Sequence, residues 1–507
     1  MNGAILIAGT TSDAGKSILT AGICRWLHRQ GIAVAPFKAQ NMSLNSFVTS
    51  DGAEIGRAQA RQAAAAGIEP DARMNPVLLK PGATGTQVIV LGQAVGEVDQ
   101  AGYAEHASRL LDVALDSLAQ LRAQYDVVIC EGAGSAAEIN LRATDIANMA
   151  LARAAGLPAL LITDIDRGGS FPALYGTVAL LEPPDQALVA GFVVNKFRGD
   201  RALLDPGLRL LRGLTGRPVL GVVPWTDGLW LDAEDSLSLA ASARPAAAGA
   251  PLGSDVLRVS VVALPRLSNF TDADALLAEP GVLVRMAASP EELADADLVI
   301  LPGSRATVAD LSWVRERGMS EVLAARALAG RPVLGICGGF QMLAEEISDD
   351  VESGAGTVSG LGLLPTRVVF GESKILGRPQ GTAYDTPDSG YEVHHGVVTT
   401  SGIGAEPFPG GCRSGAVWGT NWHGLLENDQ FRRAFLTEVA ACAGRDFKPA
   451  PDTTFAALRE ASLDRLGDLV AEHLDTEALV RLIDRGPPPG LPVLPPAGAA
   501  PGESSAR

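Results

Sequence analysis

Cys337 lies at a position from which its side chain could act as a nucleophile. In "RPVLGICGGFQML", residues 331–343, it lies between an apolar strand-like run and the pair Gly338 and Gly339, which permit a tight turn before a helix. Some hydrolases hold a catalytic serine on such a strand–turn–helix corner. A small core residue is the competing interpretation, because free cysteines are commonly buried.

A second stretch, "GTTSDAGKS" at residues 9–17, has the parts of a phosphate-binding loop. It follows the first apolar run and opens the first helical pattern, so backbone N–H groups at a helix start would face the phosphates. The loop is one residue longer than usual, and an ordinary α/β turn is the alternative. Lys16 supplies positive charge and the Ser17 hydroxyl suits Mg²⁺. The predicted nucleotide-binding residues are Gly9, Thr10, Thr11, Asp13, Gly15, Lys16 and Ser17.

Three further residues are candidates for the same site. Glu131 ends the apolar run in "YDVVICEGAG", where burial of a lone carboxylate would be costly without a cation, so we predict a Mg²⁺ ligand. A loop or helix-capping glutamate is the alternative. Asp51 is predicted as a further Mg²⁺ ligand. In "VVNKFRGD" the aspartate comes two positions too late for guanine recognition, and Asn195 is either an adenine contact or a turn residue.

Two polar segments, 37–59 and 138–152, follow predicted strands. Ligands of open α/β sheets bind at that edge, although each segment is also compatible with a solvated loop. The candidate substrate contacts are Lys38, Gln40, Asn41, Ser43, Asn45 and Asp145.

A reactive cysteine needs a base or a helix N-terminus nearby. His423, in "GTNWHGLLEND", follows an apolar stretch late in the same half of the chain and is the predicted partner of Cys337. A third group often orients such a histidine. Leu425 occupies the position two residues later and Glu427 lies four away, so the sequence leaves the orienting group open.

The composition of the chain limits the classes of function that it could have. A net charge of −17 argues against a nonspecific nucleic-acid surface. Five scattered cysteines indicate reduced thiols. The N-terminus has no secretion-signal pattern, and no apolar run is long enough for a membrane helix. We therefore expect a cytoplasmic protein that binds neither nucleic acid nor membrane.

The elements that must position these residues alternate between apolar strands and helical patterns. This predicts an α/β protein with two doubly wound, mostly parallel-sheet domains. A stretch rich in alanine, glycine and proline predicts a linker, and the proline-rich end predicts a disordered tail. The predicted division is domains at 1–238 and 255–448, a linker at 239–254, a helical segment at 449–485 and a tail at 486–507.

The second half resembles class I glutamine amidotransferase domains. "LGICGGFQML" and the later "GTNWHG" match their cysteine and histidine motifs, and "LPGSRATVADL" resembles their oxyanion loop. The resemblance implies that Cys337 and His423 are catalytic and that backbone N–H groups at Gly303 and Gly338 form the oxyanion hole. The sequence lacks the acid that follows the histidine in the H-x-E pattern of these domains. In this respect it resembles the branch that serves cobalamin synthesis.

The first half resembles dethiobiotin synthetase. Together with "AQNMSLNS", "DGAEIGRAQ", "MNPVLLKP", "DIANM", "TDIDRGG", "NKFRGD" and "LPRLSNFTD", the chain resembles the cobyric acid synthase family from residue 3 to about 445. The resemblance implies ATP- and glutamine-dependent amidation of the b, d, e and g carboxylates of adenosylcobyrinic acid a,c-diamide. It implies ATP and Mg²⁺ as cofactors and a corrin polycarboxylate, glutamine and ATP as small-molecule partners, and leaves a homo-oligomer open.

The sequence leaves two alternative functions open. Cobyrinic acid a,c-diamide synthase has the same two domains and acts on different carboxylates. A P-loop ATPase switch with a non-catalytic second domain belongs to another class, although the pair of Cys337 and His423 argues against it.

Overall fold

The apolar runs form two mostly parallel sheets covered by helices, as the α/β prediction requires. Residues 227–249, which include most of the predicted linker, and the end of the predicted tail lie outside the described residues. The computed structural model describes residues 1–82, 85–98, 100–226, 250–401 and 404–495.

The first unit, from β1 to β12, contains one six-stranded sheet and several shorter strands. Three 3-10 turns interrupt it, at Ala72–Met74, Ile139–Thr144 and Arg201–Leu203. Its elements are β1 (Gly3–Gly9), α1 (Lys16–Arg29), β2 (Val34–Phe37), β3 (Gln40–Met42), β4 (Ser46–Val48), β5 (Glu54–Gly56), α2 (Arg57–Ala65), β6 (Val77–Pro81), β7 (Thr86–Val90), β8 (Gln93–Val98), α3 (Gln100–Gln124), β9 (Val127–Glu131), α4 (Met149–Ala155), β10 (Ala159–Asp164), α5 (Ser170–Leu180), α6 (Pro183–Gln186), β11 (Val189–Phe197), α7 (Asp205–Thr215) and β12 (Val219–Pro224).

The order of strands in the six-stranded sheet places the predicted nucleotide residues together. The order is β12-β11-β10-β1-β9-β2, with every neighbouring pair parallel. The carboxyl ends of β1, β9 and β2 therefore lie at one edge of the sheet. Residues 9–17, Glu131 and Lys38 follow or end these three strands.

The second unit, from β13 to α13, is built on a seven-stranded sheet of order β15-β13-β16-β18-β27-β26-β25, whose first five strands are parallel. Two 3-10 turns, Phe270–Ala273 and Leu425–Glu427, lie beside it. Its elements are β13 (Leu257–Val262), β14 (Leu267–Ser268), α8 (Asp274–Leu277), β15 (Val282–Ala287), α9 (Pro290–Ala294), β16 (Leu298–Leu301), β17 (Gly303–Ser304), α10 (Thr307–Glu316), α11 (Met319–Leu328), β18 (Val333–Ile336), α12 (Gly338–Met342), β19 (Glu346–Asp349), β20 (Gly356–Ser359), β21 (Thr366–Gly377), β22 (Gln380–Ala383), β23 (Thr386–Ser389), β24 (Glu392–Thr400), β25 (Glu406–Phe408), β26 (Gly411–Ser414), β27 (Val417–Thr420) and α13 (Asp429–Ala443).

The chain then returns to the first unit through two C-terminal helices, α14 (Phe455–His473) and α15 (Thr476–Arg485). Helix α14 packs along α1, where Leu463 and Leu466 join the apolar core that contains β1. Arg25 of α1 donates to Asp464 of α14 at 2.8 Å. The helix that follows the phosphate loop is therefore covered by the end of the chain. Within the described part of the chain, no helix is long and apolar enough to cross a bilayer.

Candidate active sites

The loop at residues 9–17 joins β1 directly to α1. Gly15 has φ 98°, a left-handed conformation that a side chain would strain, and a Cβ there would lie 2.0 Å from Asn195 Nδ2. The Lys16 ammonium donates to the backbone oxygens of Thr11 at 3.0 Å and Gly134 at 2.9 Å. The lysine is thus held over the loop between β1 and the segment after β9, as a phosphate-binding lysine requires.

The neighbouring strands brace the rest of the loop. Thr10 Oγ1 donates to Thr163 Oγ1 at 3.2 Å, while the exposed Asp13 pairs with Arg167 at 3.1 Å. Asn195, predicted either as an adenine contact or as a turn residue, uses its amide Nδ2 to hold the Ala14 carbonyl at 2.9 Å. In this structure Asn195 therefore shapes the loop.

Glu131 is fully buried at the end of β9 and collects several donors. Its Oε1 accepts from Ser17 Oγ at 2.8 Å and from the Lys38 ammonium at 2.9 Å, and its Oε2 accepts from Gln62 Nε2 of α2. Burial alone would raise the pKa of Glu131, but the charge of Lys38 and these three donors lower it. Glu131 is thus an ionised carboxylate beside the phosphate loop.

The fit of Mg²⁺ rests on two oxygens that the structure brings together, the Ser17 hydroxyl and the Glu131 carboxylate. Hydroxyl and carboxylate oxygens are the ligands that Mg²⁺ prefers when phosphates and water complete its shell. The buried Oε1 of Gln62, beside Glu131, has no hydrogen-bond partner among the residues that the structure describes. Within the described residues, no group of three or more His, Cys, Asp and Glu side chains could hold a metal. The donor set fits a nucleotide-bound Mg²⁺, which Ser17 and Glu131 would hold.

Asp51 is not brought to these residues. It is exposed at the tip of the β4–β5 hairpin, where it accepts from Thr49 Oγ1. No hydrogen bond among the described residues joins Asp51 to Ser17 or Glu131, so its metal role stays a prediction.

Most of the predicted substrate residues of segment 37–59 are buried, and the segment contains the short strands β3, β4 and β5 where the alternative was a solvated loop. Lys38 pairs with Glu131 and so joins the nucleotide side. Asn41 Nδ2 donates to Gln59 Oε1 at 3.0 Å. Gln40 Oε1 accepts from the Tyr103 hydroxyl.

Ser43 and Asp145 contact nearby backbone N–H groups, and the substrate roles of Ser43, Asn45 and Asp145 stay predictions. Ser43 Oγ accepts from the Asn45 backbone N–H at 3.0 Å, within a turn. Asp145 precedes α4 and accepts from the backbone N–H groups of Asn148 at 2.8 Å and Ala150 at 3.1 Å. Its carboxylate therefore ties the segment before α4 to the first turn of that helix.

Cys337 lies on the strand–turn–helix corner that the sequence predicts, between β18 and α12. Its φ of 51° and ψ of −111° are strained for a side-chain-bearing residue. A Cβ at Gly339 would lie 1.8 Å from the Leu301 carbonyl oxygen, so only glycine lets α12 start this close to β16. The Cys337 backbone N–H donates to Thr420 O at 2.7 Å, which joins the corner to β27.

His423 follows β27 and lies near enough to Cys337 for the cysteine side chain to raise the pKa of its imidazole. Its Nδ1 lies 2.7 Å from Asp272 Oδ2, and Asp272 Oδ1 accepts from the Gly424 backbone N–H at 2.8 Å. Asp272 is therefore the orienting acid that the sequence leaves open. It lies 151 positions before His423, in the motif "LPRLSNFTD", and no local pattern there marks it as the partner of a histidine.

The electrostatics of His423 favour its protonated form. Burial alone would lower its pKa, but the charges of Asp272 and Cys337, and the hydrogen bonds to both, raise it to about 10. An imidazolium beside a thiolate is the arrangement that activates a cysteine nucleophile and keeps a proton ready for a leaving group.

The predicted oxyanion loop lies against this corner. A Cβ on Gly338 would be 2.7 Å from the Ser304 backbone nitrogen, and one on Gly303 would be 3.3 Å from His423 Cε1. Ser304 Oγ donates to the buried Asp310 at 2.7 Å, which fixes the loop. The structure thus brings Gly303, Gly338, Cys337 and His423 together.

Two family models match the chain over its two units. Residues 5–239 match a "CobQ/CobB/MinD/ParA nucleotide binding domain", and residues 258–431 match a "CobB/CobQ-like glutamine amidotransferase domain". The first match includes the phosphate loop around Lys16, and the second includes the strand–turn–helix corner at Cys337.

Three relatives that are similar to this chain over nearly its whole length are named cobyric acid synthase. A cobyric acid synthase of Streptomyces coelicolor is 64% identical, with 99% of this chain and 100% of the relative covered. Those of Streptomyces avermitilis and Mycolicibacterium paratuberculosis are 64% and 59% identical, covering 99% and 96% of this chain and 100% and 98% of the relatives. With both units and both candidate sites in place, the chain belongs to the cobyric acid synthase family.

Proposed function

We propose that this chain is a glutamine-hydrolysing amide ligase of cobalamin biosynthesis. It converts the b, d, e and g carboxylates of adenosylcobyrinic acid a,c-diamide to amides at the expense of ATP, giving adenosylcobyric acid. The observation that carries the proposal is the grouping of Cys337, His423 and Asp272 in a chain that also holds Lys16 and Glu131 at a phosphate loop.

In the glutamine half-reaction, the Cys337 thiolate attacks the side-chain carbonyl of glutamine. Backbone N–H groups at Gly303 and Gly338 are placed to stabilise the oxyanion. His423, held through Nδ1 by Asp272, gives the proton at its other nitrogen to the departing ammonia. The resulting thioester takes up water, releases glutamate and restores the thiolate.

In the synthetase half-reaction, the chain must bring two anions together, a carboxylate and the terminal phosphate of ATP. Lys16 and the backbone of residues 9–17 bind the phosphates and offset their repulsion. Ser17 and Glu131 would hold Mg²⁺, which supplies further charge neutralisation. Phosphate transfer gives an acyl phosphate, and ammonia then replaces phosphate to form the amide.

Product mass tests this proposal directly. Purified enzyme with the a,c-diamide substrate, ATP, Mg²⁺ and glutamine should give the mass of a tetra-amidated product. Cys337→Ala should stop amidation from glutamine and leave amidation from ammonium chloride. A product without added amides would refute the synthetase assignment, and loss of both activities in Cys337→Ala would refute separate sites.

A further inference from the structure

Helix α2 of the first unit reaches both candidate sites. Gln62 donates to Glu131 at the nucleotide site. Arg57, the first residue of the helix, extends into the second unit, where Nη1 donates to the Tyr391 hydroxyl at 3.0 Å and Nη2 lies 2.5 Å from Glu427 Oε1. Arg57 is 5% exposed, so its guanidinium is taken almost entirely out of water into the second unit.

Tyr391 connects this arginine to the catalytic imidazole. Its ring stacks on that of His423, with centroids 5.2 Å apart and planes 28° apart. The two residues also exchange backbone hydrogen bonds, from Tyr391 N–H at 3.0 Å and from His423 N–H at 2.9 Å. One face of the imidazole is therefore set by the ring of Tyr391, while its Nδ1 is set by Asp272.

We propose that Arg57, supplied by the first unit, is a positioning residue for glutamine hydrolysis: it holds Tyr391 against His423, so the amidotransferase site is complete only with α2 in place. The inference rests on the proposed function, in which His423 is the proton donor. Arg57 acts through Tyr391 and does not contact glutamine in this assignment.

The chemistry of arginine suits this role. A buried guanidinium is stable only when it is hydrogen-bonded and paired, so the contacts of Arg57 with Tyr391 and Glu427 must be kept together. Its planar group can serve two acceptors from different nitrogens at once, which the single ammonium of lysine does with less geometric definition. Glu427 also pairs through Oε2 with Arg459 of α14 at 2.5 Å, which fixes the carboxylate from the other side.

The chain offers a matched control. Arg459→Met removes an arginine from the same carboxylate without touching Tyr391, whereas Arg57→Met removes both contacts and keeps an unbranched apolar side chain. Tyr391→Phe deletes only the hydroxyl and keeps the stacked ring. For each variant we would measure kcat and KM for glutamine hydrolysis, amidation from ammonium chloride, and the melting temperature of the full chain.

We expect Arg57→Met to lower kcat for glutamine hydrolysis about tenfold, with KM within about twofold, because a hydrogen bond from a charged group to a positioning side chain is lost. Tyr391→Phe should lower kcat by about threefold to tenfold, and the double variant should be no slower than Arg57→Met, since both act through one contact. Arg459→Met should stay within about twofold of wild type, and amidation from ammonium chloride should be unchanged in all of them.

Several results would overturn the inference. These are an unchanged kcat in Arg57→Met, a rise in KM alone, or an equal loss of ammonium-dependent amidation, which would indicate general damage. If Arg57→Met does not fold, an unchanged kcat in Tyr391→Phe overturns the inference by itself. Glutamine hydrolysis that persists in Cys337→Ala would instead contradict the proposed function, so the two failures are distinguishable.

Discussion

The contact between Asp272 and His423 gives the sharpest prediction. Asp272→Asn keeps the size of the side chain and an oxygen that can accept from His423 Nδ1, but it removes the negative charge. That charge belongs to a residue that is only 5% exposed, and it lies 2.7 Å from the imidazole. The substitution should therefore change the charge state of His423 more than the packing around it.

The size of the effect follows from the pKa of His423, which lies at about 10 where 6.5 is ordinary. Burial opposes this rise, and the charges of Asp272 and Cys337 produce it. The charge of Asp272 is the largest of the causes that raise the pKa of His423, so its loss should bring that pKa down from about 10. A hydrogen bond to a charged group contributes about 1.5–3 kcal/mol, so kcat at neutral pH should fall roughly 10- to 100-fold.

The assay is the pH profile of kcat for glutamine hydrolysis. His423 must carry the proton that leaves with ammonia, so the rate falls as the pH rises through its pKa. The alkaline limb should lie near pH 10 in the wild type and at a lower pH in Asp272→Asn. Amidation from ammonium chloride should keep its rate, because the nucleotide site is unchanged.

Asp388→Asn is a matched control, since Asp388 is a buried carboxylate of the same unit that bonds to Thr386. Its kcat profile should match the wild type. An Asp272→Asn enzyme with a wild-type kcat and an unmoved alkaline limb would show that Asp272 neither orients nor charges His423.

Three further predictions concern other parts of the molecule. Lys16→Ala should abolish amidation from both glutamine and ammonium chloride, and retained turnover with either would contradict the phosphate-loop assignment. Gly339→Ala should abolish glutamine hydrolysis and keep ammonium-dependent amidation, because its Cβ would lie 1.8 Å from Leu301 O; normal hydrolysis would refute this steric argument. Burial alone would raise the pKa of Glu54, but Lys374 and Lys80 hold it well below its ordinary value. The stabilisation is therefore present above about pH 4.5 and is lost as the pH falls further. Glu54→Gln should unfold more easily by about 3–5 kcal/mol at neutral pH, and its melting temperature should depend less on acid; equal acid sensitivity of variant and wild type would contradict the prediction.

The sequence predicts both sheets, the phosphate loop at residues 9–17 and the turn at Cys337, because the patterns that indicate them are local. Apolar runs mark β1, β9 and β18, and the glycines of residues 9–17 and 338–339 mark turns that few other residues allow. Parallel sheets then bring the ends of neighbouring strands together, which is why Ser17 and Glu131 meet.

Asp272 and Arg57 escaped prediction because their roles depend on contacts far along the chain. Asp272 meets His423 across 151 positions, and Arg57 meets Tyr391 across 334. Neither has a local pattern that separates it from an ordinary acid at a loop or arginine at a helix start. The burial of the polar side chains in segment 37–59 is equally difficult to predict, because polar residues are expected at the surface unless a partner is known.

The C-terminal helices show how the two sites are held in one molecule. At its start, α14 places Phe455 in the apolar core of the second unit, and further along it buries Leu463 and Leu466 against the first. Each such leucine contributes about 1.5–3 kcal/mol by burial, so the helix binds both units rather than merely lying between them. Arg459 of the same helix fixes Glu427, the carboxylate that Arg57 also contacts. The spacing of the two units therefore depends on contacts that α14 and Arg57 make across them, which is the arrangement needed by an enzyme whose ammonia is made at one site and used at the other.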